Sequence, residues 1–95
     1  MSAFLIGNVE IHDEKAITEY RRRALPLVEK FGGKAIIIDA TPVVFEGKWA
    51  PKNMILLEFP NMESVKNLLA SPEYAPLAAL RCANAHTDLV AFGTD

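Results

Sequence analysis

The strongest constraint in this chain is a two-residue alternation that appears in two separate segments. Ala3–Ile11 reads AFLIGNVEI, and residues 54–60 read MILLEFP. Successive side chains of a strand point to opposite faces. The first segment therefore sorts Phe4, Ile6, Asn8 and Glu10 from Ala3, Leu5, Gly7, Val9 and Ile11, and the second sorts Met54, Leu56 and Glu58 from Ile55, Leu57 and Phe59. Each strand has one wholly apolar face and one that starts apolar and turns polar near its end. A sheet built from them has a packing side and a mixed side, and the mixed side is where a ligand is expected. With the two strands running in the same direction, Glu58 comes to the depth of Glu10 or Asn8 and the carboxylates form a pair.

Between these strands, Asp13 is placed to cap a helix running to about Phe31, with Ile17, Tyr20, Ala24, Leu27, Val28 and Phe31 forming its inward stripe. Pro26 should kink that helix or unwind a turn, and Gly32-Gly33 should end it. Lys34–Ala40 is rich in β-branched residues and reads as a strand. Thr41-Pro42 interrupts it and residues 43–46 resume it, which points to a bent edge strand. Residues 47–52 form a loop that carries the single tryptophan, Trp49. After the strand over 54–60, Asn61 is expected to cap a short helix through Ala70. Ser71 with Pro72 at the first helical position should start another helix to about Cys82, and residues 86–92 form the last strand.

The order β-α-β-β-α-α-β is a split βαβ arrangement with its second helix broken in two. It predicts an α+β, ferredoxin-like fold: a four-stranded antiparallel or mixed sheet with the helices on one face, and the first and third strands as parallel central neighbours. Phe4, Ile6, Met54 and Leu56 are then left on the open face. That is an apolar patch of several hundred Å², as large as a monomer normally leaves bare. Covering about 400 Å² of it contributes on the order of 10 kcal/mol before association costs. The expected cover is a second copy of the chain.

The 95 residues suit one domain spanning 1–95. A net charge of −2 gives no long-range attraction to nucleic acid or to an anionic membrane. No apolar run approaches the roughly 20 residues of a membrane span. The N-terminus lacks the basic region of a signal peptide, and the one cysteine, Cys82, leaves no internal disulfide and no thiolate cluster. The expected location is the cytoplasm.

Glu19-Tyr20-Arg21, Gly32-Gly33, Glu46-Gly47-Lys48-Trp49 with Pro51, Glu58-Phe59-Pro60, Ser71-Pro72-Glu73-Tyr74 and Arg81, in this order and spacing, resemble the DUF1330 family over essentially the whole chain. The resemblance implies a dimeric α/β barrel, in which two ferredoxin-like sheets close face to face around a cavity. The same superfamily holds cofactor-independent monooxygenases, muconolactone isomerases, stress-responsive barrel proteins and haem-degrading enzymes. The family itself has no assigned reaction, so the resemblance bears on fold and dimer, not on chemistry.

Each candidate site residue has a functional and a structural reading. Glu58, beside Glu10 or Asn8 in apolar surroundings, would have one carboxyl pKa pushed up toward a useful base; otherwise it pairs with an arginine at a strand end. Tyr20 is either core with its hydroxyl on a polar partner or a ligand contact. Trp49 either caps the cavity mouth or stacks on a flat substrate, or else meets the partner subunit. Arg81 anchors a carboxylate, from a ligand or from Glu58. His12 is a rim base or a surface loop residue, and His86 and Asp88 share a face that lines the cavity or the dimer edge. Arg21–Arg23 read as a solvated face and Cys82 as a packed helix-end residue. No phosphate-cradling loop, dinucleotide fingerprint or serine elbow is present, and two unpaired histidines make a weak metal site.

The expected function is a homodimer, joined through the open sheet face, that binds a small, partly apolar molecule in a sheet-face cavity. Proton-transfer or oxygenase-type chemistry would need no cofactor: Glu58 is the base, and Asn8, Tyr20 or Arg81 polarises the oxyanion. The alternative is a non-catalytic ligand-binding or stress-related dimer. Haem or oxygen chemistry is a third and weaker reading.

Overall fold

The computed structural model describes residues 2–93. Four strands, β1 (Ala3–Ile11), β2 (Lys34–Ala40), β3 (Met54–Phe59) and β4 (Ala85–Gly93), form one sheet in the order β2-β3-β1-β4. Three helices, α1 (Glu14–Lys30), α2 (Met62–Ala70) and α3 (Ala75–Asn84), cover one face. The α+β ferredoxin-like class is as the order of elements predicts.

Strand direction is not as expected. β1 and β3 are central neighbours, but they pair antiparallel, with Phe4 opposite Glu58 and Asn8 opposite Met54. The connections explain why. The α1 crossover returns the chain so that β2 runs with β1, and the β2–β3 connection then reverses it, leaving β3 opposed to both. Every neighbouring pair in the sheet is antiparallel.

The face sorting does follow the alternation. Ala3, Leu5, Val9, Leu57 and Phe59 are buried beneath the helices, where Phe59, Val65 and Leu68 are almost wholly enclosed. α1 presents Ile17, Ala24, Leu27 and Val28 to that layer. Asp13 caps α1 by accepting from the Ala16 N–H at 3.1 Å, and Asn61 caps α2 by accepting from Ser64 N–H at 2.9 Å. The helix runs unbroken through Pro26, which lies on its exposed side, so the missing N–H is tolerated without ending the element. Gly32 takes the turn after it with φ +86°, while Gly33 is there for space: a Cβ would lie 2.6 Å from both Phe59 and Val28.

Two boundaries differ. Residues 43–46 do not resume β2. The register slips at Ile37 and again before Ala40, Asp39 stands at φ +59°, and the chain leaves the ladder. Val43, Val44 and Phe45 are exposed, Phe45 to 95 %. Ser71 bonds back to Leu68 O through Oγ at 2.8 Å and also accepts from the Tyr74 N–H at 3.2 Å. It closes α2 and opens a turn over 72–74, so α3 proper begins only at Ala75.

Candidate functional site

The sheet's two faces each hold a concavity. On the covered face a pocket of about 60 Å³ lies between the helices and the strands. Its walls are apolar: Ile17, Ala24, Leu25 and Val28 of α1 face Val9, Ile55, Leu57 and Leu89 of the sheet. The one exposed lining residue is Ile38 of β2, so the pocket opens at that edge. An ion pair spans the opening from α1 to β2, with Arg21 Nη1 donating to Asp39 Oδ2 at 2.7 Å. Asp39 is held in turn by Asn53 Nδ2 at 2.9 Å.

The polar groups come from three elements. Tyr20 and Arg21 come from α1, Arg81 from α3 and Thr87 from β4. Tyr20 reaches beyond the pocket to Tyr74, and the two hydroxyls share a hydrogen bond of 2.6 Å that either is able to donate. The Arg81 guanidinium carbon stands 6.0 Å from the Tyr20 ring centroid. Burial pushes the Tyr20 pKa well above the usual tyrosine value, and the adjacent Tyr74 hydroxyl adds to the rise, while Arg81 pulls weakly the other way. Tyr20 is thus a neutral hydroxyl at any physiological pH. Burial works against the charge on Arg81, but the hydroxyls of Tyr74 and Tyr20 more than offset it, so Arg81 stays cationic. Arg81 Nε and Thr87 Oγ1 are buried without a hydrogen-bond partner among the described residues. Arg21 Nη2, also buried, is accounted for by Asp39 Oδ1 at 2.5 Å.

The open face carries a second hollow of about 280 Å³, lined by Ile6, Asn8, Trp49, Asp88 and Val90. Asn8 Oδ1 accepts from the Lys52 N–H at 2.8 Å and so ties the tryptophan loop to β1. A wide groove at the end of β1 includes Glu10, Glu14 and Lys52.

The structure thus brings Tyr20 and Arg81 together, and Asn8 with Trp49, but it separates the two pairs onto opposite sides of the sheet. The expected acid pair does not form. Glu58 is opposite Phe4 on β1 and Lys34 on β2, whereas Glu10 is opposite His86. Antiparallel pairing sends the polar ends of β1 and β3 to opposite ends of the sheet, and six residues of β1 separate the two acids by about 20 Å. For the same reason Glu58 has no Asn8 beside it, and Glu58 lines none of these concavities. Arg81 pairs with no carboxylate among the described residues, and it faces the covered side while Glu58 faces the open side.

His12 is exposed, 3.9 Å from Glu10, as a loop histidine, and His86 stands equally far from Asp88. No group of three or more His, Cys, Asp or Glu able to hold a metal occurs among the described residues. Cys82 is exposed rather than packed, since the inward face of α3 passes through Leu77 and Arg81. Arg21 departs from the solvated run and spans the pocket mouth. Sequence reasoning missed Tyr74, Thr87 and the Arg21–Asp39 pair. The alternation along β4 is the signal that could have found Thr87, since it sets this residue on the face opposite His86 and Asp88. The Tyr20–Tyr74 contact, 54 residues apart in sequence, left no local signal.

The family model described as Domain of unknown function (DUF1330) matches residues 2–94. A comparison with curated proteins finds no match. Among solved structures, RPA0582 from Rhodopseudomonas palustris, a protein of unknown function, aligns at TM-score 0.79 and 16% identity, covering 98% of this chain and 82% of its own. SnoaB from Streptomyces nogalater, described as a cofactor-independent oxygenase, aligns at TM-score 0.72 and 12% identity over 99% of this chain and 93% of its own. A dimeric protein of unknown function and ferredoxin-like fold from Bacteroides fragilis aligns at TM-score 0.63 and 13% identity over 98% and 96%. At these identities the likeness is one of fold.

Proposed function

The chain belongs to the DUF1330 family, and we propose that it is a homodimer in which each subunit binds a small, partly apolar molecule in the pocket between α1, α3 and the sheet. One observation carries this reading: the residues around an apolar cavity include Tyr20, Arg81 and Thr87, and two of their polar atoms, Arg81 Nε and Thr87 Oγ1, are buried and unpartnered among the described residues. An unpaired buried polar atom costs about 1–3 kcal/mol, and a ligand that pairs with it recovers that energy. The homodimer is supported by the exposed apolar residues of the open face, Val90 and Phe92 among them, and by the dimeric ferredoxin-like proteins the fold matches. No helix among the described residues is long and apolar enough to cross a membrane.

In the catalytic form of this reading, Arg81 and Tyr20 stabilise negative charge developing on a ligand oxygen. It takes support from SnoaB, a cofactor-independent oxygenase of the same fold. A second form, ligand binding without turnover, is favoured by the pocket lining, which contains no Asp, Glu or His to act as a base. Both forms place the ligand under α1, and one experiment tests that placement. Ala24 is buried in the pocket wall, and Ala24→Val fills the space. Amide NMR shifts on titrating small apolar carbonyl compounds should map to α1, α3 and β4 in the parent protein and vanish in the variant. Shifts confined to Trp49 and β1, unchanged by Ala24→Val, would move the site to the open face and refute the reading.

A further inference from the structure

The charge of the ligand can be read from what surrounds Arg81. The ion pairs among the described residues use Arg21 with Asp39, Arg22 with Glu19, Lys30 with Glu73, and the two histidines with Glu10 and Asp88. Arg81 is in none of them. The groups that bear on its guanidinium are the hydroxyls of Tyr74 and Tyr20 and the Cys82 thiol, and Tyr20 is held neutral. Arg21 shares the pocket, but its charge is matched by Asp39 at the mouth. Arg81 therefore brings to the pocket a positive charge with no counterion among the described residues, in a chain whose net charge is −2.

The donor count points the same way. Arg81 Nε only donates, and the Thr87 hydroxyl is free to donate. Both atoms are buried and unpartnered among the described residues, and both belong to residues that line the pocket. A neutral carbonyl would satisfy the hydrogen bonds but leave the partly buried guanidinium with only the Tyr74 and Tyr20 hydroxyls and the Cys82 thiol to steady its charge. An anionic oxygen satisfies both.

We propose that the pocket takes a small monoanion with an apolar tail, a carboxylate or an enolate, whose oxygens accept from Arg81 Nε and Thr87 Oγ1 while the tail lies along Ala24, Leu25 and Ile38 toward the mouth. The inference rests on the pocket reading above and adds the sign of the ligand. A cavity of about 60 Å³ suits a short chain, and the apolar walls favour an organic acid over inorganic phosphate.

Butanoate and butanamide are near-isosteric and differ in charge, so their affinities for the intact protein, measured by calorimetry or amide NMR, decide the point. Butanoate should bind about tenfold or more tightly than butanamide, the scale of a charge-assisted over a neutral hydrogen bond. Thr87→Val, which keeps the side-chain shape, should weaken butanoate several-fold and leave butanamide less affected. Arg81→Gln should remove the preference, and if that variant does not fold, the Thr87→Val comparison and the loss of butanoate binding with added salt stand in its place. Equal affinity for the two probes, at shifts mapping to the pocket, would overturn the anion while leaving the pocket. Binding of neither probe, or phosphate binding as well as butanoate, would overturn the proposal, and the former would remove the pocket reading with it.

Discussion

The two faces of the sheet use the same alternation for opposite ends. Beneath the helices, apolar side chains are enclosed; of the polar atoms admitted there, the Tyr20 and Tyr74 hydroxyls pair with each other, while Arg81 Nε and Thr87 Oγ1 are left without partners among the described residues. On the open face apolar side chains such as Val90 and Phe92 stay half exposed, at 61 % and 52 %, while Glu10, His86 and Asp88 lie in contact with solvent at one end of the strands and Glu58 lies toward the other. Enclosure makes an unpaired donor expensive and therefore informative. Exposure makes an apolar surface expensive, and that surface points to a covering partner. On the reading proposed above, the first face holds the ligand and the second the interface.

That contrast breaks most visibly if the core is emptied. Phe59 is 1 % exposed beneath the helices, and Phe59→Ala should cost about 3–5 kcal/mol, read from urea unfolding; a loss well under 1 kcal/mol would mean that the covered face is not the stabilising one. On the other side, Val90→Lys combined with Phe92→Lys should leave the monomer folded and weaken self-association by roughly 100-fold or more, since burying each apolar side chain is worth about 1.5–3 kcal/mol. Sedimentation at several concentrations checks this, and an unaltered dimer would place the contact elsewhere. The smallest effect is alkaline. The Tyr20 pKa is raised in the folded state, so the stabilisation it represents is fully present below the unfolded tyrosine pKa near 10 and is lost as pH rises through the folded value. Unfolding free energy should therefore decline above about pH 10, and Tyr20→Phe should flatten that decline. An identical pH slope in the variant would show that Tyr20 is solvated.

Much of the architecture was legible in local chemistry. Asp13 and Asn61 are in cap positions with hydrogen bonds to match, Gly32 turns the chain after α1, and β1 and β3 bury the residues that alternation assigns to the helix side. Tyr20 and Arg81 were legible as polar residues on inward helix faces. Their shared pocket was not, because it also needs Thr87 from a distant strand and Tyr74 behind Tyr20. The Glu58–Glu10 pair failed for a different reason: its premise was strand direction, and no residue within either strand specifies direction.

What the residues determined alone is which side of each element faces the core, where the helices begin and end, and that one side of the sheet is left apolar and bare. These follow from periods of two and 3.6 residues and from capping chemistry, all short in range. Only the tertiary structure decided that β3 runs against β1, that Glu58 stands opposite Phe4 rather than Asn8, and that Arg81 lies over Tyr20 with its Nε unpaired. Those facts depend on how the crossover and the β2–β3 connection return the chain through space, and antiparallel pairing turns a shared pattern of polar strand ends into charges at opposite ends of the sheet.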